Sequence, residues 1–140
     1  MIIIKQLIVL AAVVILLLSF PLQYALDNYN HNNIMAFYHY VNNAKEQAKQ
    51  QGYFTDSIVD ELKFNLSQQF DISEAELIID VTETPKYRKN AFDETELIHY
   101  RIGVPINKVV AVNKLWGISD ADNSGYIIID EYASSELIMP

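Results

Sequence analysis

Cysteine is absent from this 140-residue chain, glycine occurs four times and histidine three times, and ten Lys and Arg face 18 Asp and Glu. Without cysteine there is no disulfide scaffold, no thiolate zinc site and no cysteine nucleophile. The glycines, at positions 52, 103, 117 and 125, are too dispersed to build a loop that cradles phosphate. Cations this sparse do not cluster against a phosphate backbone, so nucleic acid is a poor partner and none is expected. His31, His39 and His99 are scattered, and the first two stand eight apart, outside the i, i+4 spacing that chelation on a helix uses. No serine–histidine–acid spacing and no helix-borne acid/histidine motif is present. The chain is therefore expected not to be an enzyme.

The shortage of charge is local. Residues 1–21 carry a single charged side chain, Lys5, whereas the other 119 residues hold nine basic and 18 acidic ones, a formal −9. Leu7–Phe20 is apolar except for Ser19, and Ile2–Ile4 extends the run across Lys5 and Gln6. A helix needs roughly 20 apolar residues to cross a bilayer core. The 19 positions from Ile2 to Phe20, three of them polar, meet that need. Lys5 can snorkel to headgroups on the cytoplasmic side, and the positive-inside rule then orients the chain N-in, C-out. A cleaved leader is the rival reading; its best cleavage position follows Ala25, but Gln23 occupies the place where a small side chain is wanted.

Beyond Pro21 the apolar positions Ile34, Phe37, Val41, Ala44 and Ala48 step by three and four, which predicts a helix with one apolar stripe ending at Gly52. No Gly- or Ser-rich linker intervenes, so one helix of about 50 residues, bent near Pro21, is the economical reading. The expected organisation is a hydrophobic transmembrane or assembly segment over 1–21, an amphipathic continuation over 22–52 and an acidic α+β extracytoplasmic domain over 53–140. Thr55 or Asp56 is placed to cap a second helix carrying Ile58, Val59, Leu62, Leu66 and Phe70. Strands are predicted at Leu77–Thr82, Glu96–Val104 and Tyr126–Tyr132, the second alternating Ile98, Tyr100, Ile102 and Val104 against Leu97, His99, Arg101 and Gly103. Pro105 is expected to end the second strand, and Asn107 to cap a short helix running to about Leu115 and closed by Gly117. The fold class is α+β, a long N-terminal transmembrane-type helix packed on a small antiparallel sheet.

Three local features invite functional readings. Asp120–Glu131 matches the calcium loop of an EF-hand, with Asp120, Asp122 and Ser124 at ligand positions, Gly125 at the sharp turn, Tyr126 next and Glu131 at position twelve. Calcium is the one cofactor considered; the strand character of Ile127-Ile128-Ile129 and the ordinary turn composition of the segment speak for a plain turn. Tyr24, Tyr29, Phe37, Tyr38 and Tyr40 make the helix aromatic, which suits headgroup boundaries and packing more than charge conduction. The basic run Lys86-Tyr87-Arg88-Lys89, in a connection over Glu83–Thr95 with Pro85 and Asn90, is either a solvated loop or a contact for an acidic patch such as Asp56, Asp60 and Glu61 on another copy.

Taken in order, the apolar helix running into Val41-Asn42-Asn43-Ala44-Lys45-Glu46-Gln47-Ala48, then Gly52-Tyr53-Phe54-Thr55 opening a second helix, then Leu77–Val81 and later strands, resembles the TadE-like pseudopilins of the wider type IV pilin-like group. The resemblance implies a pilin-like fold and a membrane-held subunit of a surface filament or of its assembly machinery. Its partners would be copies of itself, other pilin-like subunits and the membrane. Pro21 falls where type IV pilins often carry a helix-bending proline, while Lys5 stands where they usually carry a glutamate. The assembly surface expected on this basis comprises Ile8, Leu10, Val13, Leu17, Pro21, Ile34, Phe37 and Val41. The alternatives are a single-pass component of a secretion or conjugation complex and a calcium-responsive extracellular binding module.

Overall fold

The computed structural model describes residues 1–88 and 96–138; Lys89, Asn90 and Thr95 of the expected basic connection lie outside the described residues. The first element, α1, runs unbroken over Ile2–Gln51, 50 residues with Pro21 inside. Pro21 has no N–H, so the carbonyl of Leu17 loses its helical donor without the helix ending. Gly52 ends it: its φ is +85°, and a Cβ there would lie 2.6 Å from the Lys86 carbonyl oxygen and 2.7 Å from Leu137 Cδ2. The second helix, α2, is Asp56–Phe70. The hydroxyl of Thr55 accepts from the Ile58 amide at 3.3 Å, and Asp56 adds an acid to the first turn, where the helix dipole favours one. A single 3₁₀ turn over Glu74–Glu76, which periodicity did not announce, leads into the sheet.

The sheet has strands β1 (Ile78–Val81), β2 (Leu97–Ile106) and β3 (Gly125–Ser134) in that spatial order, and it is antiparallel. Ile79 pairs with Ile102 and Val81 with Tyr100 on one face, while Asp80 meets Arg101 on the other. The chain is therefore α+β, as its sequence pattern implied. Two local expectations are corrected. Pro105 does not end β2, which continues to Ile106. The helix expected from Asn107 to Leu115 does not form; a 3₁₀ turn over Asn113–Trp116 takes its place, closed by Gly117 at φ +75°. The reason is competition for backbone donors: the amides of Val109 and Val110 go to Asn123 Oδ1 at 3.1 and 2.7 Å, and that of Ala111 goes to Gln23 Oε1 at 2.9 Å. With these amides drawn to Asn123 and Gln23, the segment follows the side chains that hold it and not a regular helical turn.

Two compact units result. One comprises Met1–Asn32 with Ile106–Gly125, and the other Asn33–Pro105 with Tyr126–Pro140. Within the first unit, Gln23 and Asn30 hold the loop after β2. The core lies in the second unit. Phe37, Val41, Ala44 and Ala48 of α1 bury the predicted stripe, together with Ile58, Leu62 and Leu66 of α2 and Ile98, Tyr100, Ile102 and Val104 of β2. Phe37 meets Phe70 edge-on with ring centroids 6.5 Å apart.

Candidate assembly helix and acidic turn

The apolar run behaves unlike the rest of α1. Its most apolar 18-residue window has a mean hydropathy of 2.8 and is 6% buried. Fourteen large apolar side chains between Ile2 and Phe20 are from 44% to 73% exposed. Covering the half of each side chain still in water would gain roughly 1 kcal/mol apiece, on the order of 15 kcal/mol in all. That matches or exceeds the whole stability of a typical domain, about 5–15 kcal/mol. Water is therefore not the medium this segment is built for, and α1 is long and apolar enough to cross a membrane. Ser19, next to the end of this stretch, satisfies itself by donating to the Leu16 carbonyl at 2.8 Å.

The expected assembly residues divide accordingly. Ile8, Leu10, Val13, Leu17 and Pro21 are exposed. Phe37 and Val41 are buried and Ile34 is half-buried, with Phe37 and Val41 inside the core of their own domain. Past Phe20, the exposed large side chains of α1 are Leu22, Tyr24, Tyr29, Met35 and Tyr38.

The acidic turn is not an EF-hand. The segment after Gly125 is strand β3, not the exit helix such a loop needs. Asp120 accepts from Asn113 Nδ2 at 2.8 Å and lies 3.7 Å from Lys114 Nζ; the hydrogen bond first, and the ammonium second, hold its carboxyl below the usual range. Asp122 accepts from the Ser119 hydroxyl at 2.8 Å, and the Ser124 hydroxyl donates to the Ala121 carbonyl at 2.9 Å. Tyr126 is exposed on β3, and Glu131 accepts from the Tyr100 hydroxyl at 3.1 Å. Among the described residues no group of three or more His, Asp or Glu side chains is placed to hold a metal ion.

Sequence reasoning missed two pairings in the second unit. His99 Nε2 lies 2.5 Å from Asp130 Oδ1, with Tyr132 packed on the imidazole at 4.9 Å. Both residues stand at outward positions of neighbouring strands, a signal present in the alternation but usable only with the register. The other is Tyr100, whose hydroxyl is pushed up to about 12 by burial first and then by its hydrogen bond and proximity to Glu131. Of the basic run, the Lys86 amide donates to the Gly52 carbonyl at 2.8 Å and the Arg88 amide to the Leu137 carbonyl at 2.7 Å.

Compared with the models of known protein families, with curated proteins and with solved structures, the chain matches none.

Proposed function

We propose that this chain is a pilin-like, membrane-held structural subunit, oriented N-in and C-out, that assembles through Ile2–Phe20 into a surface filament or the machine that builds one. The observation that carries the reading is the contrast within a single helix: one half is apolar on every side and uncovered, the other is spent in the core of its own domain. A helix apolar all round suits lipid first and identical neighbours later, because both keep the same surface from water. A head-to-tail contact between such helices does not close on itself and so grows into a fibre. The subunit is assigned no chemistry of its own; its work is packing.

The test is to shear cells expressing the chain and to examine the released material by negative-stain microscopy with an antibody to the acidic domain. Labelled filaments are expected beside a membrane pool that resists alkaline extraction. Retention in membranes with no filaments would replace this reading with a single-pass component of a secretion or conjugation complex. Release by alkali would remove the membrane-held subunit altogether.

A further inference from the structure

The loop between β2 and β3 is tied to α1 just where the apolar run ends. Gln23, the third residue past Phe20, donates to the Val109 carbonyl at 3.0 Å and accepts from the Ala111 amide. Asn30 donates to the Lys108 carbonyl at 3.0 Å. From Lys108 to Ala111 the loop therefore descends α1 from Asn30 to Gln23, seven residues or about 10 Å, heading toward the apolar run. The turn Asn113–Trp116 follows Ala111 after one intervening residue in the chain.

The loop is locked from within. Asn123, almost wholly buried, bonds both Val109 and Val110, and buried Asn113 donates to the Ile118 carbonyl and Asp120. Yet this ordered loop leaves Val109, Leu115 and Trp116 exposed, the last at 58%. Tyr24 and Tyr29 are exposed on the adjoining turns of α1. Rigid polar anchoring on one side and bare apolar side chains on the other is the pattern of an interfacial element, and Trp and Tyr are the residues that favour the headgroup level.

We propose that the loop Ile106–Ser124 is an interfacial anchor whose Val109, Leu115 and Trp116 lodge at the headgroup–acyl boundary of the bilayer that α1 enters. The proposal rests on the membrane-held reading above. Lys108 and Lys114 are balanced within the loop by Asp120 and Asp122, so the contact is apolar and not a response to lipid charge. The anchor fixes how deep α1 sits, because Gln23 and the loop cannot follow Phe20 into hydrocarbon.

Trp116 is the chain's only tryptophan, so its emission reports this loop alone. The full chain is reconstituted into phosphatidylcholine vesicles whose lipids carry bromine either high on the acyl chains or near their ends. Flotation with the vesicles, a blue-shifted Trp116 emission and a loss of roughly half its intensity to the high bromines, with little to the deep ones, is expected for a side chain about 5–10 Å into the boundary. Adding phosphatidylglycerol should change nothing. The variant Val109→Ser/Leu115→Ser should still float but lose most of the quenching. Flotation with water-like, unquenched emission would overturn the anchor and leave the membrane-held reading standing. Blue-shifted emission that no bromine quenches would place Trp116 against protein, which also overturns the anchor. Failure to float would overturn both.

Discussion

Two phenylalanines seventeen positions apart on α1 should respond in opposite ways to the same truncation. Phe37 is fully buried, packs edge-on against Phe70 and joins the cluster of both helices and β2. Phe37→Ala removes that contact and leaves a cavity, at about 3–5 kcal/mol for a core Phe. A domain of this size loses about 4–8 °C of Tm per kcal/mol, so the near-ultraviolet circular dichroism melt of the full chain in detergent micelles should fall by roughly 12–40 °C. Phe20 is 73% exposed and belongs to the other unit. Phe20→Ala therefore has no cavity to make and should leave the melt within about 2 °C of the parent. Equal shifts for the two variants, or a Phe37→Ala melt within a few degrees of the parent, would refute the division of α1 into an uncovered half and a core half.

Other expectations follow from single sites. Val13→Asp puts a carboxylate near the middle of the apolar run; at about 2.5–3.5 kcal/mol for a helix centre, it should lower membrane insertion roughly a hundredfold in alkaline-extraction assays while the domain's melt is unchanged. Gly52→Ala combines a positive φ with a Cβ 2.6 Å from the Lys86 carbonyl oxygen and should cost about 2–4 kcal/mol in denaturant melts; a neutral outcome would contradict the close approach of Lys86 and Leu137. Tyr100 keeps its proton longer folded than unfolded, so its contribution is complete below pH 10 and is lost as pH rises to about 12. Absorbance at alkaline pH should show one late-titrating tyrosine that Tyr100→Phe abolishes. Millimolar calcium should leave Trp116 emission unchanged, since Asp120, Asp122 and Glu131 already have partners; a saturable response would refute that.

Periodicity carried much of this architecture. The steps from Ile34 to Ala48 and from Ile58 to Phe70 announced both helices, Gly52 marked the end of the first and Thr55, one of two candidates, caps the second, and the alternation of β2 grouped Ile98, Tyr100, Ile102 and Val104, which are all buried. Side chains acting over long sequence distances were illegible. Gln23 takes an amide 88 residues away and Asn123 takes two at 13 and 14, which turns an expected helix into a clasped loop; no local pattern encodes such a diversion. Pro105 misled because a proline lacks a ladder donor, yet a strand can carry one where that donor is not used. The same limit explains the assembly surface: spacing marks Phe37 and Leu10 alike as apolar, and only tertiary contact tells which is already covered.

The segment after β3 holds the second unit together from behind. The Glu136 amide donates to the Lys49 carbonyl at 2.8 Å, the Ser135 hydroxyl to the Lys86 carbonyl at 2.7 Å, and Leu137 sits against Gly52. On the ribosome these residues emerge some 85 positions after the helix end they fasten. The apolar start of α1 is thus made long before the second unit can close, and that unit stays unlatched until β3 and the residues after it are present. The end of α1 therefore depends on residues near the other end of the chain, and the second unit cannot be fastened until both have been made.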